Sequence, residues 1–180
     1  MFPKALPVLI AAAVFAIAVA ARSRLESRDD KHCGTSICVY GRVHGKEVTY
    51  TMMKKEDRTD ERLGWIAMGF GLTMVEYPSV PMIVAWSYKN QTIISQRTAI
   101  DYDNVSVVEK PPFPLRLSNE SYTHGNQSRI AFTIPWDGKK RVKIIYAFSN
   151  KGPKTSNSSA EIVDYQHNDY GRLSFDLEQA

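Results

Sequence analysis

Short runs of alternating apolar and polar residues, separated by turn residues, fill the chain from residue 37 to residue 177. ICVYGRV (37–43) and EVTYTMMK (47–54) flank His44-Gly45-Lys46, a hairpin-like connection. In GWIAMGF (64–70), Ile66, Met68 and Phe70 alternate with Trp65, Ala67 and Gly69. PMIVAWS (81–87), TIISQR (92–97), VSVV (105–108), RIAFTIPW (129–136), RVKIIYAFS (141–149) and RLSFDL (172–177) follow, with Asn, Gly, Pro and Ser between them. None sustains a 3.6-residue apolar period, and most are rich in Val, Ile, Thr, Tyr and Phe, so each predicts a strand. About ten such strands predict an all-β fold, an antiparallel β-sandwich. KPPFPLRL (110–117) is too rich in proline for a central strand and is placed in a loop or at an edge.

A chain of 180 residues accommodates one domain with a sizeable core. Residues 1–20 combine Lys4, an apolar run from Ala5 and the small-residue ending Ala18-Val19-Ala20, which predicts a secretory signal peptide. Residues 21–32 form a charged leader, and the domain runs from 33 to 180. Five Asn-x-Ser/Thr acceptors, at Asn90, Asn104, Asn119, Asn126 and Asn157, agree with a secreted, extracellular glycoprotein. In that oxidising compartment Cys33 and Cys38, the only cysteines, most simply form a disulfide, stabilising by about 2 kcal/mol. The net charge of +4 is a mild excess. Its densest part, KKRVK at 139–143, reads as a basic strand entry after a turn, and nucleic acid is not expected as a partner.

Gly69-Phe70-Gly71 begins like a dinucleotide-binding fingerprint, but Met74 stands where the third glycine belongs. Pro78 and Pro81 then exclude the helix whose amides would hold a phosphate. No Gly-x-Ser-x-Gly elbow or His-Glu-x-x-His zinc helix exists, and Asp57, Asp60 and Glu61 lie in a solvated charge run. What stands out is a pair of potential iron ligands, Met74 beyond one strand and His167 before the last. Thioether and imidazole on opposite faces of a haem make a six-coordinate iron suited to electron transfer. Methionine in a loop ordinarily fills a core gap, and a lone histidine is ordinarily structural, so spacing alone leaves both readings open.

GWIAMGFGLTM, PMIVAWSYKNQTIISQRTA, VKIIYAFS and HNDYGRLSFDL together resemble the ordered blocks of DOMON domains. The subset they are similar to is the haem-binding cytochrome domain of fungal cellobiose dehydrogenases. The resemblance implies an Ig-like β-sandwich holding haem b between Met74 and His167. It also implies single-electron transfer with flavin dehydrogenases, membrane cytochromes or copper enzymes, rather than catalysis by this domain itself. Trp65, Phe70, Trp86 and Tyr165 are expected to wall the pocket, and Arg97 or Arg172 to meet the propionates. The alternative is a haem-free module that binds carbohydrate or cell-wall material, with Trp86, Tyr88 and Trp136 stacking on sugar rings.

Overall fold

The computed structural model describes residues 32–55, 63–73, 80–99, 105–124, 127–162 and 167–180. The expected signal peptide and the leader up to Lys31 lie outside the described residues, while His32, the leader's last residue, stacks on Phe175 with ring centroids 4.7 Å apart. Twelve strands form two sheets: β1 (Ile37–His44), β2 (Glu47–Lys54), β3 (Trp65–Gly69), β4 (Pro81–Tyr88), β5 (Gln91–Ala99), β6 (Val105–Val107), β7 (Arg116–Leu117), β8 (Tyr122–His124), β9 (Gln127–Pro135), β10 (Arg141–Ser149), β11 (Asp169–Asp176) and β12 (Glu178–Gln179). The first sheet runs β12-β1-β2-β9-β7, with β8 also on β9; the second runs β11-β10-β3-β4-β5-β6. Every pairing is antiparallel except β1 with β12.

All the predicted strands are present, and the proline-rich stretch forms only the edge strand β7. Two-residue turns close the hairpins. Gly45 takes a φ of 62° after β1, while Lys89 and Asn90 at 49° and 62° join β4 to β5 in the left-handed conformation that suits strand twist. The disulfide Cys33–Cys38 forms, closing a loop just before β1.

Strict alternation sends one face of each sheet inward. Ile37 and Val39 from β1, Val48, Tyr50 and Met52 from β2, and Ile130 and Phe132 from β9 meet Ile66, Met68, Ile83, Ile144 and Phe148 from the second sheet. Each such side chain contributes roughly 2 kcal/mol on burial, which makes this interface the main source of stability.

The second sheet departs from a simple one-faced pattern. β3 and β4 are apolar on both faces, and Trp65, Val84, Trp86 and Ile93 form a separate cluster on the outer face. Residues 151–162, which contain no strand, fold over part of it, bringing Ala160 and Ile162 onto the cluster. Trp86 Nε1 donates to the Thr155 carbonyl at 2.8 Å. Arg97 Nη2 donates to the Ser158 and Ala160 carbonyls at 2.9 and 2.7 Å. These bonds fasten an irregular segment whose backbone would otherwise have no ladder to join.

Candidate functional site

The outer face of the second sheet can be read rung by rung from the strand register. One rung holds Ser149, Trp65, Trp86 and Ile93. The next holds Tyr170, Ala147, Ala67, Val84 and Ser95. The third holds Arg172, Ile145, Gly69, Met82 and Arg97. In the middle rung two alanines face each other, so the sheet has a low floor bounded by Trp65 on one side and Ile145 on the other. A Cβ at Gly69 would come within 2.8 Å of Ile145 Cγ1, so glycine is what lets these strands approach there.

His167 stands at the Trp65 end of this floor. Its ring lies 5.5 Å from that of Trp65, edge to face at 80°, and 5.8 Å from that of Tyr170. Two anchors follow it at once. Asn168 N donates to the Phe148 carbonyl at 2.8 Å, and Asn168 Oδ1 accepts from Asn150 N at 2.7 Å. Asp169 then opens β11 opposite Phe148. One side of the imidazole remains open to solvent, yet burial against its neighbours pushes its pKa below the ordinary 6.5. The direction of that shift favours the neutral ring, whose nitrogen lone pair is the one a metal would take.

At the other end of the floor the chain leaves β3 through Phe70, Gly71, Leu72 and Thr73 and returns at Val80. Met74 belongs to the segment between, outside the described residues. Four residues of β3, at about 3.3 Å each, separate the two ends by roughly 13 Å. Among the described residues no cluster of three or more His, Cys, Asp or Glu could hold a metal ion.

The other expected site residues fall into distinct places. Trp65 is buried, and its Nε1 has no hydrogen-bond partner among the described residues. Trp86 is fully buried behind it, under residues 151–162. Phe70 points to the opposite face: it packs on the inner core, edge to face with Tyr50 at 5.3 Å and with Phe113 at 6.1 Å. Arg97 is 2% exposed and grips the covering segment, with Nε donating to Ser95 Oγ at 3.0 Å, so those donors face carbonyls rather than an open pocket. Arg172 is exposed, on the rung beside Ile145. Tyr165 lies outside the described residues.

Three residues of this face were not singled out from the sequence: Ala67, Ala147 and Tyr170. Tyr170 is 73% exposed and Leu72 47%, which places two of the most exposed large apolar side chains at the margins of the floor. The three aromatics expected to stack on sugar rings do not share one surface: Trp86 is fully buried, Tyr88 packs beside it against the outer cluster, and Trp136 packs against the inner core from beyond β9.

The chain matches the family model described as the cytochrome domain of cellobiose dehydrogenase over residues 48–180. Among solved structures it is similar to the cytochrome b domain of pyranose dehydrogenase from Coprinopsis cinerea, with a TM-score of 0.60 and 23% identity over 78% of this chain and 75% of that one. It is also similar to the cytochrome domain of Myriococcum thermophilum cellobiose dehydrogenase, with a TM-score of 0.58 and 14% identity over 84% and 80% of the two chains. No curated protein sequence matches it significantly. At these identities the structures establish the fold, and the family model, which spans well over half of the chain, establishes the membership. The chain belongs to the family of cellobiose dehydrogenase cytochrome domains, electron-transfer modules whose cofactor is haem b.

Proposed function

We propose that this is a secreted haem b cytochrome that transfers single electrons outside the cell, with Met74 and His167 as the axial ligands. The observation that carries the reading is His167, packed against the Trp65 ring at one end of the Ala67–Ala147 floor, with β3 ending at the other, five residues before Met74. When bound, haem would supply one-electron Fe(III)/Fe(II) chemistry; Met74 and His167 would hold its iron, and a thioether with an imidazole would favour electron transfer over oxygen activation.

The residues present fit such a group. The floor is apolar and low, Trp65 Nε1 is a buried donor with no acceptor among the described residues, and the exposed faces of Tyr170 and Leu72 are apolar surface that a flat cofactor would cover. Trp65 and Tyr170 orient the His167 ring and exclude water from one side of it. Arg172 is the propionate partner by position, since it is exposed and lies on the outer face beside Ile145. Arg97 instead keeps residues 151–162 closed over Trp86.

In this reading the donor would be a flavin dehydrogenase or a membrane cytochrome, and the acceptor a copper enzyme or a metal ion. Asn90, Asn119 and Asn157 lie exposed, Asn90 at a hairpin tip, which suits glycan acceptors. Asn104 and Asn126 lie outside the described residues.

The test is the visible spectrum of the full chain, expressed with haem supplied, before and after dithionite. A sharp Soret band with low-spin α and β bands on reduction is the expected result. A colourless protein that takes up no added haem overturns the reading.

A further inference from the structure

The disulfide loop Cys33-Gly34-Thr35-Ser36-Ile37-Cys38 is far in sequence from His167, yet it meets the chain two residues beyond it. Ser36 N donates to Asp169 Oδ2 at 2.6 Å, a buried bond across 133 residues of sequence. Asp169 is itself buried, and so is Ser36. Tyr146, opposite Gly171 across the β10–β11 ladder, completes the junction. Its hydroxyl lies within reach of the Asp169 carboxylate and the Thr35 backbone. The Tyr146 pKa is raised, first by burial and then by the Asp169 charge.

The fit around that hydroxyl is close. A Cβ on Gly34 would overlap Tyr146 Oη, and one on Gly171 would come within 2.7 Å of it. Two successive residues of a small covalently closed loop thus face a carboxylate and a phenol on β11 and β10. The loop is fixed at its base by the Cys33–Cys38 bond and by Gly34 N donating to the Ile37 carbonyl at 2.7 Å. A buried carboxylate fixed by such bonds has little freedom to shift, and neither does the backbone on either side of it.

We propose that Asp169 is a positioning residue for His167, and that the Cys33–Cys38 loop is the clamp that holds it in register. The inference rests on the proposed role of His167 as an iron ligand. Asn168 fixes the height of the chain against β10, and Asp169 fixes its direction, so the imidazole leaves the strand toward the Ala67–Ala147 floor. Residues outside the direct ligand set that orient a metal-bound side chain typically alter affinity by about 10- to 100-fold.

The test uses the full chain loaded with haem and three variants: Asp169→Ala, Asp169→Asn, and the double change Cys33→Ser/Cys38→Ser. The readouts are the rate of haem loss to an excess of apomyoglobin, the low-spin fraction in the oxidised spectrum, and the thermal midpoint of the apoprotein. Asp169→Ala should lose haem about tenfold faster and show a high-spin fraction. Asp169→Asn, which keeps an oxygen for Ser36 N, should recover most of both. The cysteine variant should move in the same direction as Asp169→Ala, and the two should combine less than additively, because they break one chain of contacts. If Asp169→Ala lowers only the thermal midpoint and leaves haem loss and spin state unchanged, the residue is merely structural and the inference is overturned. Should Asp169→Ala not fold, the cysteine variant decides: faster haem loss supports the clamp, and a wild-type rate overturns it. A wild-type chain that binds no haem overturns the underlying reading, and is recognised before any variant is made.

Discussion

Ala147 stands directly opposite Ala67 across the β3–β10 ladder, and between Trp65 and Ile145 no larger side chain rises from that part of the sheet. Two alanines side by side on an otherwise bulky outer face leave room for something flat. Ala147→Leu should therefore leave the fold intact while excluding the cofactor. Because both positions are only half-buried, the change in stability should stay within about 1 kcal/mol. Overpacking of about 1–3 kcal/mol at the cofactor would weaken haem binding by about fivefold to a hundredfold. Haem titration of the apoprotein, followed at the Soret band, measures this; unchanged affinity would place the cofactor elsewhere.

The axial pair makes a second, separable prediction. Met74→His should keep haem and lower the potential, since a thioether favours the ferrous state more than an imidazole does. His167→Ala should lose most of the haem. Spectra and potentiometric titration of both variants provide the check, and unchanged spectra in both would show that the ligands are other residues.

The two arginines should separate stability from cofactor recognition. Arg97→Ala removes a buried guanidinium from the Ser158 and Ala160 carbonyls and should cost about 2–3 kcal/mol. It should loosen residues 151–162 before anything else, visible as faster amide exchange there. Arg172→Ala should leave the thermal midpoint of the apoprotein in place and weaken haem retention. Identical behaviour of the two variants would contradict this division of labour.

The strands were legible because alternation, β-branched residues and turn residues agree along nearly the whole chain. The inner core followed from the same period of two. Phe70 illustrates what the pattern also contained: it lies five residues after Trp65, so parity alone puts the two rings on opposite faces of β3. The unbroken apolar run of β4 signalled a strand covered on both sides, but nothing local says which segment does the covering. Residues 151–162 have no apolar period, and they reach the sheet through contacts of Trp86 and Arg97 with distant backbone carbonyls. For that reason the sequence offered Arg97 as a propionate partner rather than as the clamp on this segment. The Ser36–Asp169 contact and the parallel pairing of β1 with β12, where Arg42 Nη2 and Glu178 Oε2 meet at 3.0 Å, were likewise invisible, since each joins opposite ends of the chain.

A last prediction concerns alkaline stability and is independent of the cofactor. Tyr50 is buried in the inner core beside Phe70 and Phe132, and its pKa is raised well above the ordinary 10.0, first by burial and then by the negative charge of Asp137. The folded state therefore disfavours the phenolate. A raised folded pKa means that the contribution is fully present below the unfolded value of 10.0 and is lost progressively as pH rises through and beyond it. Wild-type protein should lose stability steeply above pH ~10, while Tyr50→Phe, which has no proton to release there, should decline less. Tyr146 is also raised and remains in the variant, so the slope should become shallower rather than flat. Urea midpoints measured from pH 8 to 11.5 for the two proteins give the comparison, and parallel curves would mean that Tyr50 reaches solvent before it ionises.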